Sequence, residues 1–469
     1  MCKTLLSLVL TVMTLSSCSS SEIPAAKRAD TAAAAVGRVN PGIHPEWSKS
    51  AVLYEVNIRQ YTPKGTFVAF TKELPRIKAL GVDVLWIMPV QPIGKLNRKG
   101  PLGSYYSISD YTAFNPEFGS EADFKAMVTA AHTLGFKVIL DWVANHTAFD
   151  HAWTAAHKDW YTLKSDGSIS RAIDDKGKET DWSDVADLNY TNREMRAAMI
   201  EEMRWWVDST GIDGFRCDMA GLVPTDFWAE VRTAIDKTHP GLFFLAEWED
   251  PALHKSFDAT YAWVLFHLMD EIAQGKKPTS ALNAYFAAQD STYGPTAFRL
   301  SFTSNHDENS WNGTEFERMG LNHKAAYVLS ATSQNALPML YSGQEASFNR
   351  RLKFFEKDPI DWTGPSLADF YTAMFELRHT QETLWSGQWG APQAALTTDG
   401  GDRVYAFTRA RDENAVVVVT NFGDTSRSVK YTGLSHPGAY VDWFSKSGVS
   451  LTADGAIDVP AHGYRVLVR

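Results

Sequence analysis

Eight short apolar runs, most of them separated by helix-length segments, constrain the fold of this chain more than any other feature. They are AVLYEV (51–56), VDVLWIMPV (82–90), FKVILDWV (136–143), GFRCD (214–218), LFFLAE (242–247), DATYAW (258–263), FRLSFTSN (298–305) and ALPMLYSG (336–343). Aromatic and aliphatic residues lead each run toward a polar tip, the pattern of a buried strand. The intervening segments, such as LPRIKALG and EADFKAMVTAAHTLG, have the length and periodicity of helices. Eight strand–helix alternations predict an α/β fold, a closed parallel (β/α)8 barrel of the TIM type. Such a barrel carries its active site at the carboxyl ends of the strands, where the polar tips of these runs collect.

Two stretches depart from a minimal barrel. Residues 147–190, after the third strand, are far longer than an ordinary connection. They contain Trp153, Trp160, Trp182 and several Asp residues, and are expected to form a small lobe over the barrel mouth. After about residue 384 the pattern changes to short alternating strands with turn signals (RVYAFTRA, AVVVVTNF, AYVDWF, AIDVPAHGYRVLVR), which predicts a carboxyl-terminal all-β sandwich. The expected organisation is a signal at 1–18, a tether at 19–46, a catalytic barrel with its lobe at 47–384, and the β domain at 385–469.

The amino terminus reads as an export signal. Lys3 supplies a charged start, the apolar stretch from Leu5 to Leu15 is too short to span a bilayer, and Leu15-Ser16-Ser17-Cys18 ends it. These four residues resemble the bacterial lipobox, which implies cleavage before Cys18 and lipidation of that residue. The expected product is a membrane-tethered lipoprotein facing the periplasm or the cell surface. Ser19 after the cysteine is compatible with outer-membrane sorting. With Cys2 removed and Cys18 lipidated, only Cys217 stays a thiol and no disulfide can form. Residues 19–45, rich in Ala and Ser, read as a flexible tether. A formal charge of −10 and the lack of a Lys/Arg-rich run argue against a nucleic-acid partner. Sixteen Trp and 17 Tyr exceed what a core requires, and the surplus suits stacking on sugar rings. Oligomeric state cannot be read from the pattern.

The chemistry concentrates in GFRCDMA (214–220) and LAEWED. Strand alternation puts Arg216 and Asp218 on one face and Phe215 and Cys217 on the other. Arg216 would hold Asp218 ionised, and Glu247, ending the next strand, would be its partner. Cys217 would be a small core residue facing away from the site. The third run ends in DWVANH, offering Asp141, Asn145 and His146, and the seventh in SNHDEN, offering His306 and Asp307. Each set could bind a metal or substrate hydroxyls. HxH and HExxH spacings are absent, and a metallohydrolase would leave Arg216, Asp218 and Glu247 without a role.

In chain order, DWVANH, GFRCDMA, LAEWED and SNHDEN resemble the four signature regions of the alpha-amylase family, glycoside hydrolase family thirteen. YYSISDYTAFNPEFG (105–119), VADLN (185–189) and ALPMLYSGQE (336–345) agree with it. The resemblance implies Asp218 as nucleophile, Glu247 as general acid then base, and Asp307 as transition-state stabiliser. It implies that Arg216 holds the nucleophile, that His146 and His306 bind sugar hydroxyls, that Tyr106 stacks under the sugar, and that Asp141 supports the site. Trp248 and Trp142 could each line a subsite, although Trp142 could equally pack behind its strand. A structural calcium ion, with ligands matching Asn145 and Asp187, is a further implication. The family's frequent Lys-His pair after the nucleophile is replaced by Ala220-Gly221, which removes a usual substrate contact and alters a main-chain calcium contact.

The implied activity is retaining cleavage of alpha-1,4-glucosidic bonds in starch, glycogen or maltooligosaccharides. Exo-acting alpha-glucosidase, cyclomaltodextrinase and glucanotransferase activities share the same residue set. Glu247 would start protonated, helped by neighbouring carboxylates and partial burial. A non-catalytic glucan-binding lipoprotein would be expected to have lost one of the three acids, and none is missing.

Overall fold

The computed structural model describes residues 44–469, so the export signal, Cys18 and most of the tether lie outside the described residues. All eight apolar runs become strands: β1 (Leu53–Val56), β2 (Val84–Ile87), β3 (Lys137–Val143), β4 (Gly214–Asp218), β5 (Phe243–Ala246), β6 (Ala259–Tyr261), β7 (Phe298–Ser301) and β8 (Ala336–Tyr341). Each pairs in parallel with the next, and β8 closes on β1. The α/β barrel expected from the sequence is therefore present.

Alternation divides the strand residues between two cores. Leu53, Trp86, Ile139, Leu245, Leu300 and Met339 fill the barrel interior. Tyr54, Leu85, Leu140, Phe215, Cys217 and Leu340 face outward into the core under the helices. Both faces are thus buried, which is why these runs are apolar almost throughout. Gly214 is required at the start of β4. A Cβ there would stand 1.9 Å from the Phe243 carbonyl oxygen, so β4 and β5 pair at this level only around a glycine.

The helices begin where their caps predict. Helix Glu121–Thr133 starts on a capping box, in which Ser120 Oγ accepts from the Asp123 N–H and Asp123 accepts from the Ser120 N–H. Helix Arg193–Thr210 starts on Asn192, and Gly211 ends it in the left-handed conformation. Among the described residues no helix is long and apolar enough to cross a membrane.

After β3 the chain forms a lobe around a two-stranded antiparallel hairpin, His146–Ala148 with Val185–Asp187. Trp153 packs edge-on against Trp160, and His157 stacks on Trp160. The carboxyl-terminal region contains a six-stranded and a three-stranded sheet, antiparallel throughout. Its central strand, Asn414–Asn421, is buried on both faces. Val417 and Val419 point into the core between the sheets, while Val416 and Val418 join the core of the barrel helices. Two arginines of this region cap barrel helices. Arg403 donates to the Ile272 and Ala273 carbonyls that end helix Trp263–Ala273, and Arg409 to the Thr332 and Ser333 carbonyls that end helix His323–Thr332. Carbonyls at a helix end have no partner within the helix, and a cation there also meets the negative end of the helix dipole.

Candidate active site

Arg216 is fully buried at the carboxyl end of β4 and collects three carboxylates. Its Nη1 donates to Asp141 Oδ1 at 2.8 Å and to Asp218 Oδ1 at 3.2 Å. Its Nη2 makes an ion pair with Glu247 Oε1 at 2.7 Å, outside hydrogen-bond geometry. Nε donates to the Tyr261 hydroxyl, and the rings of Trp86, Tyr106 and Tyr261 lie 4.9–5.8 Å from the guanidinium carbon. Asp141 completes its shell by accepting from Trp86 Nε1 and the Tyr106 hydroxyl, both at 3.1 Å. Asp218 Oδ2 accepts no hydrogen bond from any described residue. Glu247 Oε2 accepts from the Met219 N–H at 2.9 Å. That donor is presented because Met219 takes a left-handed turn, φ 45° and ψ 40°, which costs a non-glycine residue about 1–2 kcal/mol.

The acid balance differs from the sequence expectation. Burial and then the charge of Glu247 push Asp218 well above the usual carboxylate range, and Arg216 only partly offsets them. Burial raises Asp141 to about 6 in the same cluster. One guanidinium is shared among three carboxylates, so its charge only partly offsets the burial of Asp141 and Asp218, and both hold a proton to higher pH than a free carboxylate does.

A second group lies beside the first. His306 Nδ1 meets Glu55 Oε1 at 2.5 Å, and its Nε2 meets the Tyr106 hydroxyl at 2.8 Å and Asp307 Oδ2 at 3.1 Å. Burial works to lower His306, but Asp307 and Glu55 outweigh it and hold the imidazole well above its ordinary value. Burial likewise works to raise Asp307, and the His306 charge and hydrogen bond outweigh it, keeping this acid low and ionised. The ring of His306 stacks on Tyr106, with centroids 5.4 Å apart. His146 is the opposite case. Burial lowers it to about 4, so it is neutral, with Nδ1 facing the Asn145 amide at 3.1 Å.

The predicted residues Tyr106, Asp141, Arg216, Asp218, Glu247, His306 and Asp307 thus meet in one contact network at the strand ends. His146 stands at the base of the lobe, edge-on to Trp182. Trp142 is buried behind its strand against Tyr111, not in the site. Trp248 is half-buried over Gly221, where a Cβ would come within 2.3 Å of the indole. The glycine that stands where the family often has a bulky residue is therefore what lets this ring lie here. Cys217 is buried on the far face, and burial pushes its thiol well up. Sequence reasoning passed over Glu55. Its signal was a carboxylate at the tip of AVLYEV, on the same strand face as the inward Leu53.

The hairpin register sets Asp187 opposite His146 and next to Asn145. Burial raises Asp187 to about 6, and no cationic side chain among the described residues offsets it. Its Oδ1 already accepts from the Ile173 N–H. Among the described residues no group of three or more acidic, His or Cys side chains is arranged to hold a metal ion. One carboxylate and one amide oxygen are hard donors of the kind calcium takes, but calcium needs six to eight oxygens. Asn145 and Asp187 would supply two of those oxygens.

Residues 29–363 match the alpha amylase catalytic domain, and residues 396–466 match the alpha amylase C-terminal all-beta domain. The chain belongs to the alpha-amylase family. Among its relatives, the alpha-amylase MalA of Haloarcula japonica is 27% identical over 423 residues, covering 85% of this chain and 59% of that protein. The match thus spans less than two thirds of that relative's length. An alpha-1,4-glucan:maltose-1-phosphate maltosyltransferase of Rhodospirillum rubrum is 32% identical over 223 residues, 44% of this chain and 32% of that one. Among solved structures, an alpha-amylase from Lactobacillus plantarum superposes with a TM-score of 0.80 at 27% identity, covering 90% of this chain and 99% of that one. The protein is accordingly a glycoside hydrolase-like enzyme of the alpha-amylase family.

Replacing Glu55 with Gln should test how this family member charges its site. Glu55 is one of two acids keeping a proton on His306, so in Glu55→Gln the imidazolium releases it at lower pH. The alkaline limb of the kcat/KM profile should move down by about one pH unit. A limb that stays in place would rule out this role for Glu55.

Proposed function

We propose that this protein is a retaining hydrolase of alpha-1,4-glucosidic bonds in starch, glycogen or maltooligosaccharides. The observation that carries the reading is the pairing of Asp218 and Glu247 on one guanidinium, with Asp218 Oδ2 accepting from none of the described residues. Retaining enzymes hold two carboxyl groups about 5–5.5 Å apart, one to attack carbon and one to protonate the leaving oxygen. Asp218 Oδ2 attacks the anomeric carbon while Glu247 donates its proton to the departing glucosidic oxygen. A glycosyl ester of Asp218 results. Glu247, now a base, takes a proton from water, whose oxygen displaces Asp218 and restores the original anomeric configuration. Asp307, kept ionised, stabilises the oxocarbenium-like transition state, Tyr106 stacks under the reacting sugar, and His146 and His306 bind its hydroxyls.

A second reading, transfer to a sugar acceptor, draws support from the likeness to the maltosyltransferase. Exo-acting alpha-glucosidase and cyclomaltodextrinase activities follow from the same intermediate. The chain is further proposed to be a lipoprotein tethered through Cys18 to a bacterial membrane, on the strength of Leu15-Ser16-Ser17-Cys18. A calcium ion at Asn145 and Asp187 is proposed as a structural ligand joining lobe and barrel, where it would neutralise the buried carboxylate.

Protein lacking residues 1–18 should release reducing sugar from soluble starch, and Asp218→Asn or Glu247→Gln should lower turnover about a thousandfold or more while sparing binding. Near-normal rates in either variant would refute the roles. Products from labelled maltoheptaose, with and without an acceptor sugar, separate hydrolysis from transfer. The thermal midpoint should rise with added calcium and fall in chelator, and an unchanged midpoint removes the ion. Mass spectrometry of the membrane-extracted protein should find lipid on Cys18 as the first residue. An unmodified terminus elsewhere would overturn the tether.

A further inference from the structure

Trp311 is 53% exposed, and among the described residues it is the only aromatic side chain in the set of exposed large apolar groups. It belongs to a turn, Glu308–Asn312, that directly follows Asp307. Its ring lies 5.4 Å from Phe354, and Phe354 lies nearly parallel to Tyr106 at 6.3 Å and 22°. An aromatic line therefore runs from the reaction centre at Tyr106, through Phe354, to the exposed indole. The line is built rather than incidental. Asn309 of the turn accepts from the Leu352 N–H at 2.9 Å and donates to the Arg350 carbonyl, which fastens Trp311 to the segment carrying Phe354. The next residue, Phe355, accepts from the Leu102 N–H at 3.0 Å and packs on Gly100, where a Cβ would come within 2.6 Å of it.

Position around the barrel gives the line a direction. Trp311 follows β7, Phe354 follows β8 and Tyr106 follows β2, so the three span the arc β7–β8–β1–β2. Glu247 and Trp248 follow β5, on the opposite arc. Glu247 protonates the departing oxygen, so the leaving part of the substrate lies toward β5. The part that stays bonded to Asp218 extends toward Trp311.

We propose that Trp311, backed by Phe354, is a stacking platform for a glucose ring on the non-reducing side of the cleaved bond, beyond the sugar on Tyr106. The inference rests on the alpha-glucan reading above. The C–H face of a glucopyranose is flat and apolar, and covering half an exposed indole with it removes apolar surface from water on both partners. Because the turn is already fastened, little ordering cost offsets that gain.

The test uses 4-nitrophenyl alpha-glucoside and 4-nitrophenyl alpha-maltotrioside, whose added sugars all lie on the non-reducing side of the aryl group. Nitrophenol release should rise with chain length in the wild-type enzyme, as the ratio of the two kcat/KM values. Trp311→Ala should shrink that ratio roughly three- to tenfold, and Trp311→Phe should restore most of it. An unchanged ratio in Trp311→Ala overturns the platform while the wild-type activity leaves the alpha-glucan reading standing. An equal loss on both substrates also overturns it, since Trp311 would then support Asp307 instead. A wild-type enzyme inactive on both aryl glycosides and on maltoheptaose would overturn the alpha-glucan reading and the platform with it.

Discussion

The site depends on a single cation held where water does not reach. Arg216 has no exposed surface, and Asp141, Asp218 and Glu247 all face it from three consecutive strand ends. Moving a charge out of water is costly unless partners replace its hydration, and here carboxylates, a tyrosine hydroxyl and three aromatic faces do so. The guanidinium in turn orients Asp141 and Asp218, since its Nη1 donates to both. Because three carboxylates share one cation, burial raises Asp218 and Asp141 in spite of it.

A second ionic arrangement keeps the balance from collapsing. His306 sits between Glu55 and Asp307 and takes the cationic form despite its burial. Asp307 consequently stays ionised while Asp218 and Asp141 are raised, although all three belong to one cleft. Carboxylates of the same type are thereby given different duties by their neighbours alone. His146, at the base of the lobe, is lowered by burial and stays neutral.

Much of this was legible in the sequence, for identifiable reasons. Parallel barrel strands are covered on both faces, so each of the eight runs had to be apolar up to its tip, and the tips had to carry the chemistry. GFRCD announced by alternation alone that Arg216 and Asp218 share a face. Glu55 was harder to see because its importance comes from β1 closing on β8, a contact between residues remote in sequence that no local pattern encodes. The packing of Trp248 on Gly221 is similarly a matter of two loops meeting. The acid balance also escaped, because neighbour charges were read in pairs where the structure groups them around one guanidinium.

The arginines that cap the barrel helices come from the carboxyl-terminal domain, and so do the valines that complete the outer core. Helices Trp263–Ala273 and His323–Thr332 have their terminal carbonyls satisfied by residues synthesised more than seventy positions later. Val466, on the strand Gly463–Val468, joins the same core, so the outer packing of the barrel helices is complete only with the carboxyl-terminal domain in place. The two domains are therefore distinct in architecture but share one core.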